Sequence, residues 1–443
     1  MLPLRRPAST LAAALLLAAA ALRAEEVPPP LAVPFIQGRP FSESLRRAKA
    51  EKKVVMVDVF AVWCGPCKMM DRTTFSDPSV GAWVKANLIA VKVDAEKGEG
   101  RKIAQRYMVG SFPTILFLDP SGNEIDRLIA VYPPAAFITA GKAILEGKTP
   151  LLEALAHLRK SWTPREAATV AQDLARRNDV PRLRPITVRL VSEEADLGSP
   201  DANVHLLTLL AALEDFQGHL SPETADLVAT FIPRVGTDVR RAVLALALGR
   251  EQLRRGETAA GRETVTTTLK ALGESGPYTA DLYALLGTIE RKAGRTEAAI
   301  ADLTKAAMLS DAAGAPPATR GEREMDLADA LAAAGKTKEA KTALDAGLER
   351  WGSDPQAFIR ASRVALSLKA RPEAVAHARR AVALSKGEEA AAEAALGAAL
   401  DATGDTAGAA AAWKRAAELD PDNPEYRPGR ASPPKKPSAG GVP

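Results

Sequence analysis

Two hydrophobic patterns divide this chain. Residues 54–60 read Val-Val-Met-Val-Asp-Val-Phe, β-branched and apolar except for one acid. Such a run predicts a strand covered on both faces, as in parallel sheets. Residues 115–118, Ile-Leu-Phe-Leu, predict another buried strand. From residue 150 onward the composition shifts to Ala, Leu, Glu, Arg and Lys, the strong helix formers. A motif recurs within that stretch. Leu248-Gly249 precedes Gly256, Leu286-Gly287 precedes Gly294, and Leu396-Gly397 precedes Gly404. Similar helix starts follow Gly294, Gly335 and Gly404, and Lys369-Ala370-Arg371-Pro372 fills the same slot without glycine. Glycine there permits the tight turn between paired helices. Ala299, Ala340, Ala374 and Ala409 are small enough to let those helices approach, and Leu303, Leu344 and Trp413 fill the next layer. The pattern predicts helical repeats at 242–275, 280–313, 321–354, 355–388 and 390–423, with residues 316–320 in an insertion. Residues 151–241 are predicted helical, as degenerate hairpins without a clear register.

The two ends differ from both patterns. Arg5 and Arg6 precede an uninterrupted apolar run over residues 11–22, too short for a comfortable membrane span. This predicts an export signal at 1–24, cleaved after Ala24. Residues 25–40 are proline-rich and predict a linker; residues 426–443 have little to bury and predict a disordered tail. The 443-residue chain carries a formal net charge of +5, and losing residues 1–24 removes three arginines and no acid, leaving +2. That balance, with no basic patch, argues against a nucleic-acid partner.

The chain has only two cysteines, and Trp63-Cys64-Gly65-Pro66-Cys67-Lys68 holds both. After a strand and at the opening of a helix, a Cys-x-x-Cys pair can close as a reversible disulfide. The unpaired N–H groups and dipole of the helix N-terminus favour a thiolate on the first cysteine. Structural zinc would need further ligands, and the four histidines (His157, His205, His219, His377) are scattered without ligand spacing. Haem attachment needs histidine where Lys68 stands. A purely structural bridge this short would remove little chain entropy. The pattern therefore points to a redox dithiol, with no metal and no cofactor. In an oxidising compartment such a dithiol needs an outside electron donor to stay reduced.

Val57-Asp58-Val59-Phe60-Ala61-Val62 leads into the motif, and Ser111-Phe112-Pro113-Thr114 leads into the second strand. On these residues the chain resembles the thioredoxin family over residues 41–147. The run Thr74-Phe75-Ser76-Asp77-Pro78-Ser79-Val80 is similar to the thioredoxin-like domains of periplasmic thiol–disulfide interchange proteins. The helical remainder resembles tetratricopeptide repeats, whose period is about 34 residues. The resemblance implies an α/β thioredoxin-like domain, a mixed central sheet flanked by helices, followed by an all-α tetratricopeptide-type solenoid. It implies Cys64 as the exposed nucleophile, Cys67 as the resolving thiol, a redox disulfide Cys64–Cys67, and Asp58 as a buried base for Cys67. Trp63, Gly65, Pro66, Phe112 and Pro113 would meet the substrate, with Pro113 in a cis bond that lets Phe112 offer its backbone. Gly-Pro between the cysteines is similar to the reducing members. The family's lysine beside the buried acid aligns with Ala90, and Lys92 is the candidate substitute.

These readings predict an exported thiol–disulfide oxidoreductase of the protein-disulfide reductase type, periplasmic or secreted. Its partners would be disulfide-containing protein clients and an external electron donor such as a membrane thiol–disulfide interchange protein. A peptide or protein ligand would occupy the repeats. The alternative is a cell-envelope scaffold in which the thioredoxin fold is mainly a docking module.

Overall fold

The computed structural model describes residues 29–199, 201–273, 276–420 and 423–426. The expected export signal at 1–24 and residues 427–443 of the expected tail lie outside them. The chain divides after Glu153 into two compact units.

The first unit runs α1 (Phe41–Glu51), β1 (Val54–Phe60), α2 (Gly65–Thr73), α3 (Pro78–Asn87), β2 (Leu88–Asp94), α4 (Gly98–Arg106), β3 (Thr114–Leu118), β4 (Glu124–Ile129) and α5 (Pro134–Leu145). The sheet order is β2-β1-β3-β4, with β1 parallel to β2 and β3 antiparallel to both β1 and β4. The apolar run of residues 54–60 is explained by the central place of β1, which has a covered face on each side. Met56 points into one core with Met70, Phe75, Phe117 and Phe137. Val55, Val57 and Val59 point into the other with Phe41, Ile103, Leu116 and Leu118. Phe137 is fully buried and meets Phe75 and Trp83 edge-on at 5.8 and 6.1 Å between ring centroids.

Part of the expected linker belongs to this unit. Over residues 32–36 the chain forms a strap on the domain. The N–H groups of Ala32 and Val33 donate to the Phe75 carbonyl at 2.8 and 3.0 Å. Ile36 N–H donates to the Ala90 carbonyl at 2.8 Å, and Lys92 N–H donates back to the Ile36 carbonyl at 3.2 Å. Backbone groups make these bonds, so they leave little side-chain pattern, and the prolines dominate the sequence reading. Ala32 passes so close to α3 that a Cβ on Gly81 would lie 2.5 Å from its carbonyl oxygen.

The second unit is helical among its described residues. After α6 (Pro150–Lys160) come seven antiparallel pairs. They are α7 (Pro164–Arg176) with α8 (Val180–Ser192), α9 (Ala202–Phe216) with α10 (Pro222–Phe231), and α11 (Val239–Arg254) with α12 (Thr258–Leu272). Next are α13 (Thr279–Lys292) with α14 (Thr296–Ala312), and α15 (Pro317–Ala333) with α16 (Thr337–Trp351). The last are α17 (Pro355–Ser367) with α18 (Arg371–Leu384), and α19 (Ala390–Thr403) with α20 (Thr406–Leu419). Each first helix also packs on the first helix of the next pair, which makes the array an all-α solenoid. Residues 317–320, expected within an insertion, form the first turn of α15, where Pro317 is tolerated because a missing N–H costs nothing there.

The pairs at 164–231 lacked a register in the sequence. Their register shows in buried acids. Glu214 on α9, Glu251 on α11 and Glu290 on α13 are nearly inaccessible. Glu214 accepts Ser221 N–H at 2.9 Å and pairs with Arg184; Glu251 accepts Leu220 N–H at 3.0 Å and pairs with Arg254 and Arg255. Glu290 is held by Arg262 and Arg295. Buried carboxylates persist when paired in this way. Charge also links successive pairs farther on. Arg323 on α15 reaches Asp281 on α13, and Arg360 on α17 reaches Asp326 on α15 at 2.6 Å.

The leucine-glycine motif has a steric cause. A Cβ on Gly287 would sit 2.6 Å from Leu303 Cγ and 3.1 Å from the Ala299 carbonyl. Gly287→Ala is therefore expected to destabilise the helical unit by about 1–2 kcal/mol, overpacking outweighing the helix propensity of Ala. Urea unfolding followed by circular dichroism at 222 nm measures it. An unchanged or raised midpoint would show that the helices can separate without loss. Among the described residues no helix is long and apolar enough to cross a membrane.

Candidate functional site

Beyond β1 the chain passes Ala61, Val62 and Trp63 and enters α2 with Cys64 as the N-cap. Cys64 has extended backbone geometry, and its sulfur accepts the Cys67 N–H at 3.1 Å, the bond a serine cap would make. Pro66 sits in the first turn, where no N–H is needed. Cys64 and Cys67 are joined in a disulfide with 5.3 Å between their Cα atoms. In the dithiol state the same N–H would face the Cys64 thiolate and favour it.

The exposed Cys64 expected from the sequence is corrected here. In the disulfide both cysteines are 3% exposed, because they pack with Ala61 beneath Phe60 and Phe112. The asymmetry between them lies in hydrogen bonding and not in accessibility. The Phe112–Pro113 peptide is cis, Pro113 is buried and Phe112 half-buried. Trp63 is 65% exposed, which excludes a core role. Its ring stands edge-on to Phe112 at 6.0 Å and its indole N–H donates to Glu96 Oε1 at 2.7 Å. Gly65 and Pro66 are exposed in the first turn of α2, and Val62 and Met69 are also exposed. The dithiol thus lies under an apolar rim.

Asp58 lies within β1 and is 1% exposed. The register of β1 on β2 sets it opposite Lys92. Lys92 Nζ pairs with Asp58 Oδ2 and with Asp71 Oδ1, the latter at 2.8 Å. Ala90, the position the family alignment offered, faces Met56 instead. Lys92 is therefore the lysine beside the acid. Burial pushes the Asp58 carboxyl above the ordinary carboxylate range against the pull of Lys92, and the nearby Asp71 charge adds to the rise. Burial alone would lower the Lys92 pKa, but the charges and hydrogen bonds of Asp58 and Asp71 hold it above its usual value. Asp71 is a residue that sequence reasoning missed. The available signal was its place one helical turn after Cys67, on the same face of α2. Lys92 thereby ties the buried acid to the helix that carries the dithiol.

A mixed four-stranded sheet, a Cys-x-x-Cys cap on the helix after its central strand, and a cis-proline loop define a thioredoxin-like domain. Residues 41–145 match the family model described as a thioredoxin-like domain, and this part of the chain is one. A tetratricopeptide-type solenoid follows it. The thiol:disulfide interchange protein DsbD of Haemophilus influenzae (strain PittEE) is 38% identical over 88 residues, 19% of this chain. The chain spans 15% of that relative's length. A thioredoxin from Thermus thermophilus is 31% identical, over 25% of this chain and 86% of its own, with a TM-score of 0.23. A tetratricopeptide repeat protein from Parabacteroides merdae ATCC 43184 is 14% identical, over 59% of this chain and 95% of its own, with a TM-score of 0.46.

Proposed function

We propose that this protein is an exported thiol–disulfide oxidoreductase that works as a reductase, its repeats holding the client or a partner complex. The observation that carries the reading is the Cys64 sulfur at the helix N-cap, within hydrogen-bond reach of the Cys67 N–H. Export rests on the charged and apolar residues 1–24. In the reaction the Cys64 thiolate attacks one sulfur of a client disulfide. A bond forms between Cys64 and that sulfur, and the other client sulfur leaves as a thiolate and takes up a proton. Asp58 then accepts the Cys67 proton, and the Cys67 sulfur attacks Cys64. The Cys64–Cys67 disulfide forms, and the second client thiolate is released. The client gains two electrons and the enzyme loses two, which an external dithiol donor must return. The exposed apolar side chains Val62, Trp63 and Met69 suit a client segment with little charge.

A fragment ending at Glu153 tests the division of labour. It contains the whole first unit. It is expected to reduce a small model disulfide about as fast as the full chain, yet to fail to replace it in cells, since the repeats no longer concentrate the client. Loss of model-disulfide activity in a folded fragment would mean that the repeats help to build the site. Full replacement in cells would mean that they are not needed to find the client.

A further inference from the structure

The strap of residues 32–36 places an aromatic ring where the catalytic reading needs dryness. Lys92 Nζ lies 4.5 Å from the centroid of Phe60, 5.4 Å from Phe35 and 5.5 Å from Phe75. Phe60 closes β1 and Phe75 follows α2, so both belong to the domain proper. Phe35 comes from the strap. It meets Phe75 edge-on at 5.1 Å and, like Phe60, is half-buried, so these two rings form the outer wall of the cage and Phe35 is the one supplied from outside the sheet and α2. The charged groups inside are Asp58 from β1, Lys92 from β2 and Asp71 from α2, while β3 sets the apolar Ile115 opposite Asp58. Lys92 is 8% exposed and Asp58 1%. A ring face attracts the ammonium and excludes water from it, which strengthens each charge interaction behind it.

We propose that Phe35 is a positioning residue, which seals the Asp58–Lys92 pair from water and so fixes the state in which Asp58 meets the dithiol. It touches none of the reacting atoms. The inference rests on the reading of Asp58 as the base for Cys67, and it deepens that reading by adding the segment before α1 to the machinery. The strap stays in place through backbone hydrogen bonds and through the missing side chain at Gly81. This provides a second way to disturb the cage without touching any of its rings.

The test uses the full chain, oxidised, with aspartate carboxyls labelled with carbon-13. The Asp58 signal is assigned by its loss in Asp58→Asn, and its titration midpoint is followed. Phe35→Ala admits water to the pair, which relieves the desolvation of the carboxylate. The midpoint is expected to fall by about one pH unit. Gly81→Ala, which forces the strap away from α3, is expected to lower it in the same direction. Phe35→Trp keeps an aromatic wall and should keep the wild-type midpoint. Midpoints unchanged in both Phe35→Ala and Gly81→Ala would overturn the inference. The rate at which the mixed disulfide resolves, measured against pH, separates this from the reading beneath it. A fall in the midpoint with no effect of Asp58→Asn on that rate would uphold Phe35 and remove Asp58 from the reaction. Slowed resolution in Asp58→Asn with fixed midpoints would do the reverse.

Discussion

Cys64→Ser is expected to bring disulfide reduction down to the uncatalysed rate, whereas Cys67→Ser is expected to stop the cycle halfway. The difference follows from the two positions on α2. The Cys64 sulfur is the cap of the helix and receives the Cys67 N–H, so it is the sulfur whose thiolate the helix N-terminus stabilises. Without it there is no attack. Without Cys67 the attack proceeds, but the bond between Cys64 and the client has no internal thiol to break it. The mass spectrum of Cys67→Ser after exposure to a protein disulfide should show one client joined per chain, removable by a strong reductant. In the reduced wild type, alkylation near neutral pH should reach Cys64 about tenfold faster than Cys67, because the capped sulfur carries more thiolate. In the disulfide the two cysteines are equally buried, so the oxidised structure itself offers no difference in exposure between them. Equal alkylation rates in the folded, reduced protein would count against the roles assigned.

Lys92→Met should have the largest effect on stability. The variant keeps an apolar stem within the aromatic cage but leaves Asp58 buried without its cation. Breaking one side of a buried pair costs about 3–5 kcal/mol at neutral pH. The cost should depend on pH in a definite direction. Burial already raises the folded-state pKa of Asp58, and loss of Lys92 raises it further. A carboxyl with a raised folded pKa stabilises the fold fully below its unfolded pKa of about 3.9, and that stability is lost as pH rises through the folded value. The gap between variant and wild type should therefore be small in acid and widen toward neutrality. Urea unfolding of both proteins across pH 4–8, with fluorescence and circular dichroism compared, measures it. A gap that does not change with pH would mean that packing, and not the charge on Asp58, sets the cost.

The strand and the dithiol were legible in the sequence because each is dictated locally. A strand buried on both faces must be apolar throughout, and residues 54–60 are. The Cys-x-x-Cys cap needs only four consecutive residues. Lys92 was harder. Side chains two apart on a strand share a face, so Ala90 and Lys92 both fitted, and only the in-register pairing of β1 with β2 separates them. Asp71 carried a helical spacing signal, but its meaning required a lysine from another strand. The strap could not be read from pattern, since its bonds use backbone groups. In the helical unit the glycine turns revealed the later pairs. The pairs at 164–231 are registered by Glu214, a charged residue that a hydrophobic pattern assigns to the surface.

The salt bridges between successive pairs bear on whether the repeats are interchangeable. Arg323 finds Asp281 on the first helix of the preceding pair, and Arg360 finds Asp326 in the same way. The acid stands near the start of α13 in the first case and past the middle of α15 in the second. The two junctions thus use different positions on helices of similar shape. Cutting out the pair α15–α16 and joining its neighbours would bring together surfaces that fit in outline but not in charge. Each junction is keyed to its own place, so this array behaves as an ordered sequence of parts and not as a stack of spares.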